Sequence, residues 1–116
     1  MLPEDRDAAY LWDILDVAKT VVEFTTGLSL HDYLKDRKLQ LAIEREIEII
    51  GEAAKNIPPS VQALIPEVDW RKPAGLRDVI AHAYFGIDDT ILWDVVQNKV
   101  PELQQAIDLF NKREKK

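Results

Sequence analysis

The sequence predicts an all-α fold, an antiparallel up-and-down helical bundle of four principal helices plus a short connector. Apolar residues recur at helical spacing through long segments, proline and glycine punctuate those segments, and no stretch alternates as a convincing strand would. With 116 residues, 47% of them hydrophobic, and six prolines, the chain is long enough for one core and short for two. Residues 1–116 are therefore read as a single domain. No linker, repeat or low-complexity tract divides it.

From Asp7 to about Thr26, Leu11, Ile14, Leu15, Ala18 and Val22 share one helical face, while Tyr10, Val17, Val21 and Phe24 form a second stripe. Two stripes imply two partners. Either the helix is buried on a wide arc inside its own bundle, or the second stripe meets a neighbouring subunit. Gly27 is placed to end this helix, and LSLHDYLKDRK is a polar connection in which His31 reads as a capping or surface residue. The longest amphipathic pattern runs through Leu39, Ile43, Ile47, Ile50, Ala54 and Ile57 until Pro58 and Pro59 stop it. Glu44, Glu48 and Glu52 follow at intervals of four on another face. They read as a solvated ridge, with Arg45 and Lys55 offering local pairing rather than a metal site, since no histidine accompanies them.

Ser60 is a candidate cap for a short helix, SVQALIP, that Pro66 closes. Asp69 then caps a helix that keeps Pro73 in its first turn and stops at Gly86, with Ile87 touching the last turn. Asp88 or Asp89 starts a further helix through Ile91, Leu92, Val95 and Val96. Val100-Pro101 is expected to interrupt or kink it before Leu103, Ile107 and Phe110 continue the apolar row. Trp12, Trp70 and Trp93 read as core or dimer anchors.

The charge balance restricts the partners. Against 15 basic residues stand 21 acidic ones, a net charge of −6. The C-terminal run KREKK holds four bases and one acid, so the rest of the chain carries −9. Such a field disfavours non-specific attraction to a polyanion, and any nucleic acid must meet a local cationic patch or one assembled from several subunits. The absence of cysteine excludes disulfides and thiolate metal sites, which fits a reducing compartment. The opening MLPEDRD has no basic region followed by an apolar run, and no apolar stretch approaches spanning length. A cytoplasmic protein without a membrane partner is the expectation.

The chemistry concentrates in RDVIAHAYFG, residues 77–86. On a helix Asp78 and His82 share a face, and Arg77 and Tyr84 line up two turns apart. Leu76, Val79, Ile80 and Ala83 anchor the helix beside these polar rows. His82 sits in the last turn, where the helix dipole favours an imidazolium and Asp78 is placed to fix its tautomer. A proton-exchanging histidine and a phosphate-gripping arginine are what RNA strand cleavage requires without a metal. The 2′-hydroxyl must lose a proton, the leaving 5′-oxygen must gain one, and the phosphorane needs a cation. One copy of the motif is one proton-transfer group short. A symmetric homodimer joining two such helices supplies two histidines and two arginines in one cleft.

The stretch R-D-V-I-A-H-A-Y matches the Arg–four residues–His–x–Tyr signature of the HEPN superfamily. The segments AIEREIEIIGEAAKNIP, VDWRKPAGLRDVIAHAYFGID and ILWDVVQNKVPELQQ resemble the HepT-like toxin family over nearly the whole chain. That resemblance implies an all-α homodimer with a composite RNase site needing neither metal nor cofactor. Arg77 would bind phosphate, His82 would transfer protons, and Asp78, at a position often held by asparagine, would orient His82. It further implies a toxin neutralised by a cognate minimal nucleotidyltransferase of the MntA type, which attaches AMP to Tyr84. Added charge and bulk there would block the RNA phosphate.

Other readings stand beside this one. The chain can be a catalytically inactive HEPN interaction module that binds a nucleotidyltransferase or a nucleotide, or a purely structural helical adaptor. Trp70 with Arg71 and Lys72 is a candidate RNA contact, since aromatic and cationic neighbours can hold a single strand. The KREKK tail reads as a solvated helix end, with RNA collection as its alternative role.

Overall fold

The computed structural model describes residues 5–81 and 86–114, and among them every regular element is helical. Helix α1 (Asp5–Thr25) buries Leu11, Ile14, Leu15 and Ala18 as their spacing predicts, together with Val17 and Val21 of the second stripe. Burial on a wide arc within one bundle thus accounts for the middle of α1. Phe24, at its end, is 46% exposed, and Trp12 is not a core anchor, being 64% exposed. Gly27 follows with φ +81°, a left-handed conformation that costs glycine no side-chain clash.

The polar connection holds a helix of its own, α2 (Leu30–Lys35). Ser29 Oγ accepts from the Asp32 N–H at 3.1 Å, and Asp32 Oδ2 accepts from the Ser29 N–H at 2.9 Å, a reciprocal capping box. The usual Glu or Gln of that box is replaced by the shorter Asp32, so its signature is weak in the sequence. His31 lies exposed on this helix. Tyr33 anchors α2 from beneath: it is fully buried, with its ring 5.1 Å from that of Trp93. Burial, reinforced by the charges of Asp89 and Glu44, holds the Tyr33 phenol far above its ordinary pKa, so it stays neutral.

Asp36 caps α3 (Arg37–Asn56), its Oδ1 accepting from the Leu39 N–H at 3.0 Å. Ile43, Ile47, Ile50 and Ala54 are buried along this helix. The next turn, α4 (Pro59–Gln62), starts at a proline rather than at a serine cap: Pro58 is the N-cap, Pro59 fills the first position and Ser60 lies inside the helix. The ring presets φ, and its missing N–H would have been unpaired there in any case. Asp69 Oδ1 accepts from the Arg71 N–H at 3.3 Å where α5 (Arg71–Ala81) begins.

Beyond Gly86, at φ +100°, Asp88 caps α6 (Asp89–Asp94), accepting from the Thr90 N–H at 3.0 Å. The interruption expected at Val100-Pro101 falls just ahead of it and leaves the helical hydrogen bonding continuous. A π turn over Val95–Lys99 joins α6 to α7 (Val100–Glu114), and the Val100 N–H donates to the Val95 carbonyl. The wider turn accommodates a residue that has no N–H to give and whose ring would crowd an ordinary preceding turn. Among the described residues there are four long helical runs, α1, α3, α5 and the α6–π–α7 run, with α2 and α4 as short connectors.

Helix α3 is the centre of the bundle, packing on α1 along one side and on α5 along another, while α1 also packs on α7. Ile14, Ala18, Ile43 and Ile107 meet in the core with no exposed surface. No helix among the described residues is long and apolar enough to cross a membrane. Helices α3 and α5 approach closely at Gly51. A Cβ built there would collide with the Cβ of Arg77 and stand 2.7 Å from the Pro73 carbonyl oxygen. Interior helical glycine costs about 1 kcal/mol relative to alanine, so its presence is offset by the approach it permits. Gly51→Ala is accordingly expected to destabilise the protein by about 1–3 kcal/mol through overpacking, although alanine is the better helix former. Urea unfolding checks this, and an unchanged or raised midpoint would contradict the contact.

Candidate active site on the fifth helix

Because Gly51 has no side chain, the stem of Arg77 rests directly on α3. Its head then meets charges from both helices. Arg77 Nε lies 3.1 Å from Glu52 Oε2, and Nη1 donates to Asp78 Oδ1 at 3.3 Å. The same Asp78 oxygen accepts from Lys55 Nζ at 3.1 Å. Glu52, Arg77, Asp78 and Lys55 therefore form a line of alternating charge across the α3–α5 junction. Lys55 and Glu52 do not pair locally along α3 as the ridge reading expects; only Arg45 and Glu48 do, at 3.6 Å. These two α3 residues are the part of the site that sequence reasoning missed. Their spacing of three matched a solvated face, and only the helix crossing gives them partners of opposite sign.

Arg77 also lines a polar cleft of about 270 Å³ that lies over α3 between α1 and α5, with Tyr10, Arg45, Glu52 and Asn56 on its walls. A larger cavity of about 390 Å³ lies between α3, α5 and the α6–α7 run. Its walls are mostly apolar, from Ile47, Ile50, Leu76, Val95 and Leu103, with Lys72 and Lys99 among its charged residues; Arg77 does not line it, and Asp78 lines neither cavity. The smaller cleft is the candidate site because it is the one that Arg77 lines.

Of the motif, Arg77 and Asp78 are placed side by side on α5, with their side chains 32% and 50% exposed. His82 and Tyr84 lie outside the described residues, and so does the last turn that the sequence carries on to Gly86. The proposed contact trio is not a single surface. Trp70 is a core residue, 7% exposed, and its indole N–H donates to the carbonyls of Gln62 and Ile65 at 3.2 and 3.3 Å. Its rings are covered by the protein and cannot stack on a base. Arg71 and Lys72 remain exposed beside it, with Arg71 paired to Asp69 at 3.2 Å. In the C-terminal run, Arg113 bonds Glu67 at 3.3 Å. No group of three or more potential metal ligands among His, Asp and Glu occurs among the described residues.

The all-helical bundle is consistent with the fold of a HEPN domain. Residues 14–110 match the family described as “Ribonuclease HepT-like”, and the chain belongs to that family. It is 44% identical over 100 residues to “Putative RNase MJ0127” of Methanocaldococcus jannaschii, covering 86% of this chain and 83% of that one. It is 43% identical over 103 residues to “Probable ribonuclease HepT” of Thermococcus cleftensis, covering 89% and 94%. A third relative, “Putative RNase TTE0752” of Caldanaerobacter subterraneus subsp. tengcongensis, is 37% identical over 106 residues, covering 91% and 95%. No solved structure matches the chain.

The hydrogen bond from Lys55, then that from Arg77, holds the Asp78 carboxyl below the ordinary range for aspartate. A depressed folded-state pKa contributes stability that is present above the unfolded value and lost as pH falls through the folded one. Asp78 should therefore titrate by NMR below a model aspartate, and Lys55→Met should raise its midpoint. A midpoint insensitive to Lys55 would rule the pair out in solution. Asp78→Asn should cost stability at neutral pH and nothing once the native carboxyl is protonated.

Proposed function

We propose that this protein is a metal-independent endoribonuclease toxin of a toxin–antitoxin pair, acting in the cytoplasm as a homodimer. The observation that carries the reading is Arg77, seated by the α3–α5 junction at the edge of a polar cleft in a chain of the HepT-like ribonuclease family. In this scheme two subunits bring their Arg77 and His82 side chains to one RNA phosphodiester. One His82 takes the proton of the 2′-hydroxyl as its oxygen bonds to phosphorus. The bond to the 5′-oxygen breaks, and the second His82 returns a proton to that leaving oxygen. The products are a 2′,3′-cyclic phosphate and a 5′-hydroxyl. Arg77 neutralises the phosphorane, and Asp78, fixed by Lys55, biases the orientation of His82. Arg71 and Lys72, both exposed, are placed to help gather the strand.

The partner in this scheme is a minimal nucleotidyltransferase of the MntA type. The Tyr84 hydroxyl attacks the α-phosphorus of ATP, pyrophosphate leaves, and the attached AMP brings negative charge to the place an RNA phosphate must occupy. A second reading, an inactive HEPN module that binds such a partner or a nucleotide, has one observation in its favour: the Arg77 charge is already met by two carboxylates.

Purified protein in EDTA is expected to cut RNA to cyclic phosphate ends, and Arg77→Ala or His82→Ala to abolish cutting with the helical content intact. Cutting that survives both substitutions would sink the assignment, and partner binding without turnover would favour the module. Sedimentation at micromolar concentration should show a dimer or a multiple of it. Mass spectrometry after co-expression with a neighbouring nucleotidyltransferase should show AMP on Tyr84 and none on Tyr84→Phe.

A further inference from the structure

We infer that Glu52, outside the Arg–His–Tyr motif and on a different helix, is a positioning residue for Arg77: its carboxylate fixes the guanidinium at the cleft and sets how far the arginine must yield to reach an RNA phosphate. The inference rests on the reading of Arg77 as the phosphate-binding group.

The geometry divides the restraint on Arg77 into a stem and a head. The stem is held because Gly51 lets its Cβ press on α3, so the first side-chain carbons have no room to swing toward that helix. The head is held from two sides, by Glu52 at 3.1 Å from Nε and by Asp78 at 3.3 Å from Nη1. The two carboxylates are not equivalent. Asp78 is itself tied to Lys55 at 3.1 Å and so shares its charge between two cations. Glu52 meets Arg77 alone among the described basic side chains, and it lines the same polar cleft as Arg77. A guanidinium has five N–H donors; the hydrogen bond to Asp78 uses one on Nη1, and with Glu52 held by charge beside Nε at least three remain for a phosphate. Glu52 can therefore steer the head without blocking the fork that grips the substrate.

A carboxylate in this place has two opposing effects on RNA. It repels the incoming phosphate, and it keeps the guanidinium in one orientation so that less ordering is needed at the transition state. Removing only its charge should separate them, tightening substrate binding while slowing turnover. A residue that merely supported the fold would weaken stability and activity together, and exposed ion pairs such as this one contribute little to stability.

The test uses the full chain with a fluorogenic RNA oligonucleotide and the arginine Nε–H resonances in NMR. In Glu52→Gln, kcat is expected to fall by about tenfold or more with KM unchanged or lower. The melting temperature should hold, and the Arg77 Nε–H signal should move and exchange faster with solvent. Glu52→Asp, which keeps the charge, should restore part of kcat. A kcat within about twofold of wild type, an Arg77 signal that does not move, or a loss of kcat that tracks a loss of melting temperature overturns the inference. Should the wild-type chain cut no RNA, the ribonuclease reading falls by itself. The Nε–H signal and the Kd of a uridine oligonucleotide then decide for Glu52: both must change in Glu52→Gln, and the inference falls if either does not.

Discussion

The candidate site depends on a contact between two helices at a residue that has no side chain. At Gly51 the α3 backbone comes close enough to α5 that the Cβ of Arg77 and the Pro73 carbonyl fill the space a side chain would take. Everything polar at the junction follows from that approach. Helices held further apart by a bulkier residue would leave Glu52 and Lys55 facing water, and the Arg77–Asp78 pair would lose its partners across the gap. Close packing here therefore converts two exposed ridges into a fixed charge pattern, because ion pairs are oriented only as well as the backbones that carry them.

That pattern bears on how an acidic chain can handle a polyanion. The net charge of −6 offers RNA no general attraction. Binding must come from cations placed individually, and the junction supplies Arg77 and Lys55 together with two acids that restrain them. Within those four side chains the formal charges cancel, so the junction offers donors and geometry rather than a net positive field.

The remainder of the fold keeps the junction in register. Helix α3 is held between α1 and α5, and the caps at Ser29, Asp36 and Asp88 fix where the flanking helices start. The π turn before Pro101 lets the last long helical run continue past a proline, so Val96, Val100, Leu103 and Ile107 bury themselves as one apolar row. Tyr33 and Trp93 join α2 to α6 by ring contact. In each case a local irregularity is absorbed by backbone geometry, and the packing of the long helices is left intact.

The sequence by itself determined the helical class, the extents of α1 and α3, the left-handed backbone at Gly27 and Gly86 and the candidacy of Arg77 and Asp78. Those features rest on periodicity and on residues whose backbone preferences act locally, so they are legible without neighbours. It misread the proline start of α4, left the capping box of α2 unread, and expected at Val100-Pro101 an interruption that takes the form of a π turn just ahead of it, where several local solutions satisfy the same residues. Only the tertiary structure decided that Trp70 is core and Trp12 is surface, since the two indoles have the same hydrophobicity and differ only in what packs around them. It alone brought Glu52 and Lys55 to Arg77 and Asp78, residues more than twenty positions away, because pairing across helices is set by the distance of approach and not by any period along the chain.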